Sequence, residues 1–114
     1  MSPITTHVLD LARGRPAEGV AIILEHAAGN ESWVELGHGT TNAYGRISTL
    51  LPDAAALTVG AYRLRFATAA YFAAAGVRGF YPEVVVVFQI DDAAGHYHVP
   101  LLLSPYGYST YRGS

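Results

Sequence analysis

With 114 residues, 51% of them hydrophobic and 14% charged, the chain is expected to form one domain, residues 1–114, that buries its own core. It has no cysteine, which excludes disulfides, thiolate metal sites and cysteine nucleophiles, and its net charge of −2, with seven scattered arginines, offers no basic stripe to a nucleic acid. The opening MSPITTHVLD has no signal-peptide pattern and the longest apolar run, VVVVF at 84–88, cannot span a bilayer, so a cytoplasmic protein with no membrane partner is expected.

Short runs between turn signals predict an all-β sandwich of eight strands with one short helix. In the first strand, ITTHVLD at 4–10, alternation puts Ile4, Thr6, Val8 and Asp10 on one face and Thr5, His7 and Leu9 on the other. ARGRPAEG reads as a turn, and VAIILEH (20–26) and ESWVELGHG follow as strands. TNAYGRIST is expected to hold a short strand after an asparagine turn. AYRLRFAT (61–68) alternates most clearly, with Tyr62, Leu64 and Phe66 opposite Arg63 and Arg65. The alanine-rich ATAAYFAAAG (67–76) favours a helix capped by Gly76. PEVVVVFQI reads as a strand buried on both faces. HYHVPLLL and YSTYRGS form the last pair around an SPYG hairpin turn, with Pro100 marking an edge position or a bulge. There is no internal repeat or linker. The large apolar fraction leaves few charges to cover a surface, which points to an oligomer.

Without cysteine or lysine, acid–base chemistry falls to five histidines and nine carboxylates. His96 and His98 share one face of their strand, while Leu101 and Leu103 on the other look like core, so the histidine face points outward or lies at an interface. Three readings are open: structural histidines, a zinc site built on His-x-His with His7 as third ligand, or a metal-free general base with pKa near ~6.5. Spacing does not choose among them. Arg46 follows the permissive Gly45 and could clamp a planar ligand with its fork of donors, or be an exposed turn arginine; Arg112 is ambiguous in the same way. Ser114 offers a hydroxyl and an α-carboxylate, which suit an orienting group better than a nucleophile, since no G-x-S-x-G elbow is present. Tyr106, Tyr108 and Tyr111 read as interface or core aromatics.

Three stretches, ITTHVLDLARGRPAEGVAI, TNAYGR and HYHVPLLLSPYGYSTYRGS, resemble the 5-hydroxyisourate hydrolases, the transthyretin-related family, and region 60–90 fits as well. The final Tyr-Arg-Gly-Ser separates these hydrolases from transthyretin, a hormone carrier that shares LLSPY and YST but lacks the tetrapeptide. The resemblance implies a transthyretin-like sandwich of two four-stranded sheets, assembled as a homotetramer (a dimer of dimers) with active sites at the subunit interface. It implies hydrolysis of a small molecule, 5-hydroxyisourate, to 2-oxo-4-hydroxy-4-carboxy-5-ureidoimidazoline in urate degradation, with no cofactor or metal. The implied catalytic residues are His7, Arg46, His98 and Ser114, each present at its motif position. Tyr111 and Leu101 are expected to wall the cleft, with Arg112 also binding substrate. The competing expectation is a non-catalytic carrier of a small apolar ligand, which would not need this set of residues.

Overall fold

The computed structural model of the chain describes residues 2–47, 49–52 and 55–114. Among the described residues, eight strands and one helix follow in order: β1 (Ile4–Asp10), β2 (Arg15–Pro16), β3 (Ala21–Gly29), β4 (Ser32–Thr40), β5 (Gly60–Phe66), α1 (Thr68–Ala74), β6 (Val84–Ile90), β7 (Tyr97–Ser104) and β8 (Gly107–Thr110). They make two four-stranded sheets, ordered β2-β1-β7-β8 and β4-β3-β5-β6. The alternation that defines the strands also defines the core. Ile4 and Val8 from β1, Leu24 from β3, Leu64 and Phe66 from β5, and Leu101 from β7 are fully buried in one apolar cluster. Burying each such side chain contributes about 1.5–3 kcal/mol relative to exposure, which is what holds the two sheets face to face.

β1 and β7 run parallel, in a molecule whose other strand pairs are antiparallel. Their register opposes Thr5 to His98, His7 to Pro100 and Val8 to Leu101. Neighbouring residues in register share a face, so Thr5, His7 and His98 all project from the outer face of this sheet. Asp10 lies on the core face and is 2% exposed, yet its carboxylate is satisfied: it accepts the Tyr71 hydroxyl at 2.6 Å and the Arg13 N–H at 3.0 Å. Burial and the Asp10 contact raise the Tyr71 pKa, so this bond keeps its proton. The helix ends as its sequence suggests. Gly76 adopts φ +71, its N–H reaches the Ala73 carbonyl, and the Val77 N–H reaches that of Phe72, a Schellman closure.

Five local expectations are corrected. The turn stretch ARGRPAEG contains β2, whose two residues pair with Leu9 and Asp10 and are too few to show a period. In the region of TNAYGRIST the described residues form a turn and a single bridge between Arg46 and His7, because the Asn42 side chain occupies the backbone donors of Tyr44 and Arg46; Ser48 lies outside the described residues. β6 is covered on one face only, with Val85 and Val87 exposed, since it forms the edge of a sheet whose outer side is uncovered by the described residues of the single chain. Pro100 sits in an interior strand. The His98 carbonyl and the Pro100 carbonyl both face the C-terminal segment, so the missing Pro100 donor falls where the chain leaves the ladder between Thr110 and Gly113. The last strand accordingly ends at Thr110, and residues 111–114 return to β7 through one bridge, Gly113 to His98.

Candidate active site

The outer face of the β2-β1-β7-β8 sheet carries two imidazoles side by side, His7 from β1 and His98 from β7, both half-buried. Each is backed by a glycine. Beside His7 the chain turns at Gly45, where φ is +74; a Cβ there would overlap the Val8 carbonyl oxygen and lie 3.3 Å from His7 Cδ2. Asn42 holds this turn in place: its Oδ1 accepts from Tyr44 N at 2.9 Å and from Arg46 N at 3.1 Å, and its carbonyl accepts from Gly45 N at 2.9 Å. The turn is stitched to β1 by the Val8 N–H, which donates to the Gly45 carbonyl at 2.8 Å. This puts Arg46 against His7.

His98 has the matching arrangement on the other side. Gly113 donates to the His98 carbonyl at 2.8 Å, and a Cβ on Gly113 would overlap the His98 Cδ2 edge. The opposite edge of the ring, Nδ1, lies 2.8 Å from Thr5 Oγ1. With Nδ1 towards β1 and Cδ2 towards the C-terminal segment, Nε2 points away from the sheet. A cleft of about 350 Å³ opens there, lined by Thr5, Arg46, His96, His98 and Ser114.

Electrostatics favour neutral imidazoles. Burial lowers the His98 pKa from the ordinary value, and the charges of Arg46, His7 and His96 push the same way, with the Thr5 backbone pulling weakly against them. His7 is lowered by burial and then by Arg46, against a contact with the Tyr44 backbone. Among the described residues Arg46 makes no ion pair with a carboxylate, and it lines the cleft. An imidazole lone pair beside an uncompensated guanidinium can accept a proton from water while the cation stabilises the oxyanion that forms. No three histidine, aspartate or glutamate side chains among the described residues converge closely enough to hold one metal ion.

The structure therefore gathers Arg46, His98 and Ser114 around one cleft, with His7 adjoining. Tyr111 and Arg112 fall elsewhere. They line a second, mostly apolar hollow of about 310 Å³ between β6 and β7, where the Arg112 guanidinium stacks 4.6 Å over the Tyr97 ring. Only His98 borders both hollows. Leu101 needs correction: it is fully buried in the core, on the sheet face opposite His98, and cannot wall the cleft. One cleft residue was not singled out from sequence, Thr5 as a partner of His98, while His96, weighed there only as a histidine-face or zinc residue, lines the cleft. The available signal was the alternation of β1, which places Thr5 on the same face as His7.

Comparison with known proteins sharpens this picture. Residues 4–113 match the HIUase/Transthyretin family. A probable 5-hydroxyisourate hydrolase of Caenorhabditis elegans is 50% identical over 97% of this chain and 81% of its own length. The solved 5-hydroxyisourate hydrolase of Klebsiella pneumoniae is 41% identical with a TM-score of 0.84, covering 97% of this chain and 98% of that one. Transthyretin of Sparus aurata superposes with a TM-score of 0.91 at 32% identity, covering 99% of this chain and 97% of its own. Backbone shape thus fits transthyretin and hydrolase alike, and the higher identities lie with the hydrolases. On a sandwich of the same layout and a match running from β1 to Gly113, this chain belongs to the HIUase/transthyretin family.

Proposed function

We propose that this chain hydrolyses 5-hydroxyisourate, opening its six-membered ring to give 2-oxo-4-hydroxy-4-carboxy-5-ureidoimidazoline in urate degradation. The observation that carries the reading is the convergence of Arg46, His98 and Ser114 on one cleft. His98 takes a proton from water, and the resulting hydroxide attacks the C6 carbonyl. Arg46 binds the ring's oxygen and nitrogen atoms and stabilises the oxyanion, worth about 3 kcal/mol for a donor of this kind. Collapse breaks the ring amide bond and returns the proton to the departing nitrogen. His7, seated beside Arg46, orients the substrate, and Ser114 orients either substrate or His98. The chain's own side chains suffice for each step, with no metal or cofactor in the scheme.

The site belongs to an assembly. Arg46 and Ser114 are exposed in the single chain, and large apolar side chains such as Tyr44, Leu11, Phe80 and Tyr106 stand at its surface. A cytoplasmic homotetramer, a dimer of dimers, would cover them and close the clefts at subunit interfaces. Among the described residues, no helix is long and apolar enough to cross a membrane.

The test is direct. Freshly generated 5-hydroxyisourate, made from urate with uricase, is followed by its ultraviolet decay with and without the protein. Acceleration over the spontaneous rate is expected, and Arg46→Lys, which keeps the charge but loses the planar fork, should impair turnover without changing the oligomer. A decay rate equal to the spontaneous one would favour the carrier alternative.

A further inference from the structure

A neutral imidazole has one N–H, and its position decides what His98 can do. If the Thr5 hydroxyl donates to Nδ1, the ring proton sits on Nε2 and the nitrogen facing the cleft is only a donor. If Nδ1–H donates to Thr5 Oγ1, the Nε2 lone pair is free for water. The 2.8 Å contact alone fits both arrangements. What separates them is the destination of the hydroxyl's own proton. Thr5 Oγ1 also lies 3.4 Å from the Nε2 of His96, a second ring nitrogen that can accept it.

We infer that Thr5 is a positioning residue that sets the His98 tautomer: its Oγ1 accepts from His98 Nδ1–H and donates to His96 Nε2, leaving the His98 Nε2 lone pair towards the cleft. The role of His98 as base rests on the function proposed above; the tautomer itself does not. The register of β1 against β7 makes the arrangement possible, because it places Thr5 directly opposite His98. Other charged or titratable groups around His98 are His7 on β1, Arg46 in the turn, and Arg112 and Ser114 in the C-terminal segment. None of them is within hydrogen-bonding distance of Nδ1 among the described residues.

The experiment reads the tautomer and the rate separately. Imidazole ¹⁵N chemical shifts of the labelled full-length protein, at a pH where His98 is neutral, should give Nδ1–H in the wild type. Thr5→Val, which keeps the branched shape and removes the hydroxyl, should move His98 towards Nε2–H and lower kcat on the order of 10-fold with little change in KM. Thr5→Ser should restore both, and His96→Ala, at an exposed position, should shift both in the same direction by less. A wild-type protein with His98 as Nε2–H would overturn the inference without any variant. So would a folded Thr5→Val protein with unchanged shifts and rate. If the tautomer behaves as expected but no form of the protein opens 5-hydroxyisourate, the tautomer assignment stands and the proposed function falls.

Discussion

His7 and His98 occupy similar seats made from different materials. Each ring projects from the outer face of one sheet, rests its Cδ2 edge against a glycine, and is joined by one isolated bridge to the segment that carries its charged neighbour. Beside His7 that segment is an internal turn, closed by four hydrogen bonds made by Asn42 and a fifth from Val8. Beside His98 it is residues 111–114, which have left the β8 ladder and return through the Gly113 N–H. The Arg46 side of the cleft is therefore part of the fold, and removing it should disturb stability. The Ser114 side leans on the fold and should be separable from it.

The hardest test of the pairing is to remove each ring. His98→Asn should reduce kcat by about 10²–10⁴-fold if it is the base, and His7→Asn should cost less and act more on KM. Steady-state kinetics on both variants assign the roles, and a larger kcat loss from His7→Asn would exchange them.

Extending the chain past Ser114 probes the looser seat. A C-terminal tag crowds the cleft and displaces the group at its rim, and should slow turnover by up to about 10²-fold, while an N-terminal tag of equal length does much less. Ring-opening rates of the two proteins, matched for oligomeric state by size-exclusion chromatography, decide it; equal rates would remove Ser114 from the mechanism.

The glycines sharpen the contrast. Gly45→Ala meets both a left-handed φ and a backbone carbonyl that cannot swing aside, so it should lose about 1 kcal/mol of stability or more, together with activity. Gly113→Ala meets a side-chain edge, so it should displace the His98 ring and slow turnover with a nearly unchanged melting temperature. Thermal unfolding and kinetics on the two variants read these outcomes side by side; equal destabilisation would mean the two seats are equally structural.

The smallest effect is shared by both seats. His7 and His98 have lowered pKa values, so kcat/KM should hold down to a pH below the ordinary imidazole value of ~6.5 before it falls. For stability the sign is the same. Between the folded and unfolded pKa values the unfolded chain binds more protons, so stability is full above ~6.5 and declines as pH drops through the folded values. Replacing either histidine with asparagine should flatten that decline, as measured by denaturant midpoints against pH.

Much of the fold was legible because alternation survives tertiary packing. The faces of β1, β5 and β7 follow from the order of their residues, and Gly76 announces the helix end. What escaped are features decided by partners. β2 exists only because Leu9 and Asp10 lie across from it, β6 is half-exposed because none of the described residues covers its outer side, and Pro100 is tolerated inside a sheet because the β7–β8 ladder has no backbone bond at its nitrogen. The same holds for the site. Motif resemblance located Arg46, His98 and Ser114, while Leu101 was offered two incompatible places, core and cleft, and the sheet allows only the core. Thr5 was hidden because its partnership depends on a parallel register that no local pattern encodes.

That parallel pairing also bears on how the protein is made. Thr5 and His98 are 93 residues apart, and the strands that carry them join through the β1–β7 ladder. During synthesis β1 leaves the ribosome with its partner strand still unmade, while the β3–β4 and β5–β6 pairs can already close through nearer contacts. The sheet bearing the cleft is thus the later of the two to complete, and a chain interrupted before β7 has one full sheet and a seated His7 but no His98.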